Sequence, residues 1–366
     1  MKLRNLFYSA LCALAVTAAF TSCSDDDDDN DSWREGSKVE LPQYRAFILS
    51  EGTMNRNDSH LSFFDPTSSS PVTMDIYETQ NGRKLGDTAN DMIEEDGYIY
   101  VVVNVSKLLL KLTGAGVEVA RFSFTEELGE PRNVAAENGK LYVTCYGGYI
   151  ARFDCETLAY EGKVKVDSNP EQIIVHDGTL YTVCSGLGTG NTISVVDTKN
   201  FSVSKSYQTL DNPYAIQEDN GNIYVAAYGF YDPMTWTSTP SVGVINPTTK
   251  KTTQIEGMAP TRILAVDDKL YMCTSVTPDW ISYTTTFSIY DAKTGKVSSW
   301  NLKDIPSELT SGNVYMMAYN KYDRSFYIAT TDYYSDSKVF HFSSDGSYLG
   351  TFTTGGINSN HMLFIK

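Results

Sequence analysis

The sequence predicts an all-β fold: a seven-bladed β-propeller of four-stranded blades, the last blade closed by N- and C-terminal strands. Three observations predict it. A unit built around an Asn-Gly or Asp-Gly turn recurs along the chain, its starts lie 39 to 53 residues apart, and unpaired strand patterns remain at both ends. Pro131-Arg132-Asn133-Val134 leads through Asn138-Gly139 to Leu141-Tyr142-Val143. Pro170-Glu171-Gln172-Ile173 leads through Asp177-Gly178 to Leu180-Tyr181-Thr182. Pro213-Tyr214-Ala215-Ile216 and Pro260-Thr261-Arg262-Ile263 open two more units, with turns at Asn220-Gly221 and Asp267-Asp268. Each reads as an apolar strand, a tight hairpin turn and a second strand. Units opening at Ala89-Asn90-Asp91-Met92 and Asn313-Val314-Tyr315-Met316 fit with a looser start. A third strand then closes on a polar turn, as at Phe153-Asp154 and Val196-Asp197, and a fourth follows. No helical period stands out between them.

Six units leave an orphan first strand at 360–365 and orphan later strands at 46–49, 61–64 and 72–76. Joining them makes a seventh blade and removes the sheet edges that an open array would expose. Six or eight blades are the neighbouring alternatives.

In a propeller, the first strand of each blade lines the channel. Loops entering it, and loops between second and third strands, emerge on one face. Those second-to-third loops are 52–59, 104–107, 146–149, 185–192, 228–241, 274–286 and 331–338. They carry Tyr146, Tyr149, Tyr228, Phe230, Tyr231, Trp236, Trp280, Tyr283, Tyr333 and Tyr334. Loops are normally polar, so this density points either to a binding face or to loops packed on one another. The channel mouth is expected to hold Asn90, Asp91, Arg132, Asn133, Glu171, Gln172, Tyr214, Thr261, Arg262, Tyr315, Asn360 and His361. Arg132 and Arg262 suit a phosphate or carboxylate, or else an internal ion-pair ring with Glu171 and Asp91. His361 is a candidate metal ligand or a simple hydrogen-bonded residue.

Catalytic patterns are thin. The four histidines, His60, His176, His341 and His361, occupy unrelated repeat positions. No GxSxG, HExxH or phosphate loop occurs, and the glycine-rich stretch 185–190 joins two strands with no helix behind it. No catalytic residue, metal site or cofactor is assigned. Cys145, Cys155, Cys184 and Cys273 lack CxxC or Cys/His spacing and read as buried thiols, a disulfide being the alternative.

Residues 1–22 read as a signal peptide: Lys2 and Arg4, then an apolar run over 6–20 too short for a stable span. The run ends at Phe20-Thr21-Ser22-Cys23, which resembles a lipobox, with Phe where Leu is usual. Lipidation at Cys23 would anchor the chain by acyl groups alone; ordinary secretion is the alternative. The acidic run 25–29 continues a self-repelling tether over 23–40, leaving 41–366 as the propeller. The formal charge is −16, and without the leader and the six tail aspartates 27 bases face 39 acids, a balance near −12. No basic stripe occurs, so nucleic acid is excluded as a partner class.

Phe47-Ile48-Leu49-Ser50-Glu51-Gly52, Ser59-His60-Leu61-Ser62-Phe63-Phe64-Asp65 and Gly86-Asp87-Thr88-Ala89-Asn90-Asp91-Met92 resemble the opening of YncE-like propeller lipoproteins of Bacteroidetes. That group includes the surface vitamin B12-capturing BtuG proteins. The acidic run after Cys23 resembles the signal that sends many such lipoproteins to the outer cell surface, a periplasm-facing location being the alternative. The resemblance implies an outer-membrane protein that captures cobamide and passes it to a TonB-dependent, BtuB-type transporter. A corrinoid has apolar faces, peripheral amides and a phosphate, which suits an aromatic face with polar partners. Glycan capture, protein docking and a propeller lyase are the alternatives.

Overall fold

The computed structural model describes residues 31–68, 74–202, 204–235, 237–279 and 281–366. Cys23, the acidic run 25–29, Trp236 and Trp280 lie outside the described residues. The fold is a seven-bladed propeller: seven four-stranded antiparallel sheets follow one another, each in chain order except the last. The innermost strands are Ala89–Glu95, Pro131–Glu137, Pro170–His176, Pro213–Asp219, Arg262–Val266, Asn313–Asn320 and Ser359–Ile365, numbered here as blades one to seven. Each innermost strand contacts the next, and the seventh contacts the first, closing the ring. Blade seven takes Ser359–Ile365 from the C-terminus and Arg45–Ser50, His60–Phe64 and Met74–Asp75 from the N-terminus. Its register pairs Phe47 with Leu363 and Ile48 with Met362.

The hairpins form because their turn residues adopt the left-handed conformation. Asn138 and Gly139 have φ of 53° and 72°, and Asn220 and Gly221 have 49° and 81°, as a two-residue turn between right-twisted strands requires. Asp268 takes φ 59° without being glycine, and its amide donates to Asp219 Oδ2 at 2.6 Å.

Second strands are buried on both faces, which is why they read as unbroken apolar runs. Ile99, Val101 and Val103 pack toward blade seven, while Tyr100 and Val102 pack toward blade two. The recurrent tyrosine fills the space between blades, and in blade one it ties them, Tyr100 Oη donating to the Cys155 carbonyl at 2.7 Å. Cys145, Cys155, Cys184 and Cys273 are buried free thiols, and burial raises the pKa of each.

Two features depart from the sequence reading. Of the strand expected over 72–76, residues 72 and 73 lie outside the described residues, Met74–Asp75 pairs as expected, and at 76 the chain turns instead into a helix over Ile76–Asn81. Asp75 caps that helix, accepting from the Glu78 amide at 2.9 Å. A second short helix spans Ser307–Thr310. Part of the expected tether is also folded. Trp33 and Val39 pack on the core of blades seven and one, and the buried Arg45 guanidinium lies 3.5 Å over the Trp33 ring. A tether needs no aromatic residue, and Trp33 is the sign in the sequence that part of this stretch packs.

Candidate functional site

The channel mouth is built from irregularities of the innermost strands. In blades one, two, three, four, six and seven the register shifts near the start of that strand. The residues left out of register are Asn90, Arg132 with Asn133, Glu171 with Gln172, Tyr214, Tyr315 and Asn360. A β-bulge releases such residues from the pleat and re-aims them. The loosened amides are taken up by the preceding blade: Asp91 Oδ2 accepts from Val134 N at 2.8 Å, and Gln172 Oε1 from Ile216 N at 3.0 Å.

These residues surround a cavity of about 510 Å³, lined by Asn90, Arg132, Asn133, Gln172, Tyr214, Arg262, Tyr315, Asn360 and His361, with Glu51 and Tyr228 from the loops. Four buried polar atoms on its wall have no partner among the described residues: Asn90 Oδ1, Asn360 Oδ1, Tyr214 Oη and His361 Nδ1. Buried polar atoms are normally satisfied, and an orphan costs about 1–3 kcal/mol. Four around one cavity describe a surface complementary to a polar ligand.

The two arginines have different fates. Arg132 Nε donates to Glu171 Oε2 at 2.8 Å, and Glu171 also accepts from Ser185 Oγ at 2.8 Å and from Tyr146 Oη. Arg132 thus belongs to an internal ion pair, as one of the two sequence readings had it. Arg262 instead donates from Nε to the Tyr315 carbonyl at 2.8 Å and from Nη1 to the Thr261 carbonyl at 2.6 Å. Its guanidinium lies 4.7 Å over the Tyr315 ring. Tyr214 and Tyr228 stack beside it at 4.0 Å. Desolvation pushes the Tyr214 and Tyr315 hydroxyls far above their ordinary pKa, so both remain neutral donors.

His361 Nε2 lies 2.9 Å from Asp91 Oδ1. Burial alone would lower its pKa, but Asp91, with Glu51 behind it, outweighs burial and Arg132 and raises it. A raised folded pKa adds stability that is fully present below the unfolded value of about 6.5 and is lost as pH rises through the folded value. The stability advantage of wild type over His361→Gln, measured by urea unfolding, is therefore expected to be larger at pH 5.5 than at pH 8. A difference independent of pH would show that the pair does not titrate. Among the described residues, no three His, Cys, Asp or Glu side chains converge as metal ligands.

Loops around this mouth carry exposed apolar side chains. Met234, Ile281 and Tyr334 are 87%, 84% and 86% exposed, on loops of blades four, five and six. Each stands two residues after an aspartate that accepts its amide: Asp232 from Met234 N at 2.8 Å, and Asp279 from Ile281 N and Asp332 from Tyr334 N at 2.9 Å. Such Asx turns hold a side chain outward without a helix or strand. Backbone hydrogen bonds keep all three carboxyls below their ordinary pKa. Gly229, at φ 78°, starts one of these loops where a Cβ would meet the Thr239 carbonyl oxygen at 2.3 Å.

Of the site residues read from the sequence, Arg132, Asn133, Tyr214, Tyr228, Arg262, Tyr315 and His361 line the cavity. Tyr333 packs edge-on against Tyr315 at 6.1 Å, and Tyr146 reaches Glu171. Phe230, Tyr231 and Tyr334 are exposed on the rim loops, and Tyr283 is half-buried in the blade-five loop. Tyr149 packs on the core of blades one and two, and the ammonium groups of Lys163 and Lys165, on the outer strand of its own blade, lie over its ring at 4.2 and 4.5 Å. Glu51 was missed. It accepts from Tyr315 Oη at 2.6 Å, Asn90 Nδ2 at 3.0 Å and Asn360 Nδ2 at 3.2 Å. Its signal was positional, since it follows a second strand just as Tyr146, Ser185 and Tyr228 do.

No family model matches the chain, and no curated protein matches it. Among solved structures the chain is similar to U3-55K, with a TM-score of 0.54 and 9% identity over 74% of this chain and 83% of that one. It is also similar to apo AztD from Citrobacter koseri, with a TM-score of 0.52 and 11% identity over 88% of this chain and 98% of that one. At these identities the likeness shows the fold alone.

Proposed function

We propose that this chain is a ligand-capturing propeller rather than an enzyme, and that its channel mouth takes up cobamides. The single observation that carries a binding role is the cavity of about 510 Å³, a size usual for ligand sites, whose wall holds four unpartnered buried polar atoms beneath an apolar rim. A corrinoid is larger than the cavity, so its macrocycle rests on the rim while peripheral amides meet the asparagines below. The choice of cobamide rests on the resemblance to YncE-like lipoproteins, and segments 47–52 and 86–92 that carry it also supply Glu51 and Asn90 to the mouth and Asp91 to its partner His361. In the same reading Cys23 carries the lipid, the acidic run directs the protein to the outer surface of the outer membrane, and a TonB-dependent transporter receives the ligand.

Calorimetry of the purified mature protein with cyanocobalamin tests this. Sub-micromolar affinity is expected, a binding free energy beyond about −8 kcal/mol, with the corrinoid colour retained on the protein after desalting. No heat and no retained colour would overturn the cobamide reading and leave a colourless glycan as the ligand to test.

A further inference from the structure

We infer that Arg262 is the point at which the mouth takes an oxyanion of its ligand, a phosphate or a carboxylate, while the opposite wall takes hydrogen-bond donors. The inference deepens the binding reading above and rests on it. Of the two arginines on the cavity wall, Arg132 is neutralised by Glu171 at 2.8 Å. Arg262 has no carboxylate within ion-pair distance among the described residues. Its Nε and Nη1 donate to backbone carbonyls, which fix the guanidinium without neutralising it. Its Nη2 has no partner among the described residues. Beside it stands a second, independent sign: the Tyr214 hydroxyl is buried, lines the same cavity and has no partner. A neutral hydroxyl and a free guanidinium edge are both donors, the combination that recognises an oxyanion in a water-poor site.

The other wall has the complementary character. Asn90 Oδ1 and Asn360 Oδ1 are unpartnered acceptors, and both amide groups are oriented by donating to Glu51 Oε1. Glu51 itself has no cation within ion-pair distance among the described residues. Tyr315 joins the two walls, its carbonyl accepting from Arg262 and its hydroxyl donating to Glu51. The mouth therefore sets the Tyr214 and Arg262 donors at blades four and five against the Asn360 and Asn90 acceptors at blades seven and one, where His361 Nδ1 is a further unpartnered atom.

The experiment compares cyanocobalamin with dicyanocobinamide, which keeps the corrin ring and lacks the phosphodiester, the ribose and the base. Wild type is expected to prefer cyanocobalamin by about tenfold or more, the worth of a charge-assisted hydrogen bond. Arg262→Gln should reduce that ratio to within about twofold, Arg262→Lys should keep part of it, and Arg324→Gln on the opposite face should keep all of it. If Arg262→Gln does not fold, the Arg262→Lys ratio decides. A ratio near one in wild type, or equal losses for both ligands in the Arg262 variants, would overturn the inference while leaving cobamide binding intact. If neither corrinoid binds, the functional reading fails and inorganic phosphate and citrate become the probes. Saturable binding of either, weakened about tenfold in Arg262→Gln, supports the inference and names the oxyanion; no saturable binding, or equal binding by both proteins, overturns it.

Discussion

Deleting residues 359–366 is expected to leave a chain that no longer unfolds cooperatively. The missing strand, Ser359–Ile365, is the innermost strand of blade seven and contacts the innermost strands of blades six and one as well as Arg45–Ser50. Its loss uncovers Phe47, Ile48 and Leu49, all fully buried, and removes Phe364 from the cluster around Tyr327. Truncating one buried phenylalanine costs about 3–5 kcal/mol, and a domain's whole stability is about 5–15 kcal/mol, so one deleted strand exceeds what the fold can lose. The ring also loses closure, because Ser50 Oγ no longer meets Ser359 Oγ and Gly52 no longer donates to the Ile357 carbonyl in an ordered frame. Circular dichroism during heating, with a hydrophobic dye as reporter, makes the measurement. A truncated chain with a sharp transition near that of the parent would mean that blade seven stands without its C-terminal strand.

The same strand shows what was legible in the sequence. Its apolar pattern had no local partner, and the N-terminal strands had no first strand, so pairing them followed from the count of units. The hairpins were legible because Asn-Gly and Asp-Gly state their turn conformation outright. The helix over Ile76–Asn81 was not, since six residues are too few to show a period and its capping aspartate sits in what reads as a strand. At the mouth, strand order placed Arg132, Tyr214, Arg262, Tyr315 and His361 correctly, because residues opening each innermost strand must face the channel. Their partners were a different matter. That Glu171 consumes Arg132 while Arg262 meets only carbonyls and tyrosines depends on side-chain reach between neighbouring blades, which repeat spacing does not encode. The lysines that cover Tyr149 lie on the outer strand of the same blade, another contact that repeat spacing does not encode.

Replacing Met234, Ile281 and Tyr334 together by serine is expected to weaken cyanocobalamin binding by about 100-fold or more, with the melting temperature nearly unchanged. Each side chain is more than four-fifths exposed, so truncation removes little packing, and surface substitutions of this kind usually stay within about 0.5 kcal/mol of parent stability. Their value lies in a complex, where burying one large apolar side chain contributes about 1.5–3 kcal/mol and rim contacts exclude water from the polar centre. The three project from consecutive blades, so for a ligand that spans them the losses should compound. Asp332→Ala separates presentation from contact: it keeps the Tyr334 ring but removes the carboxylate that accepts from the Tyr334 and Ser335 amides at 2.9 and 2.7 Å. Its affinity is expected to lie between those of the parent and Tyr334→Ser, because the ring must then be ordered on binding at a cost of about 0.5–1.5 kcal/mol. A triple variant that binds like the parent would move the binding surface wholly into the channel mouth. A large fall in melting temperature would show that the three side chains pack against their own loops.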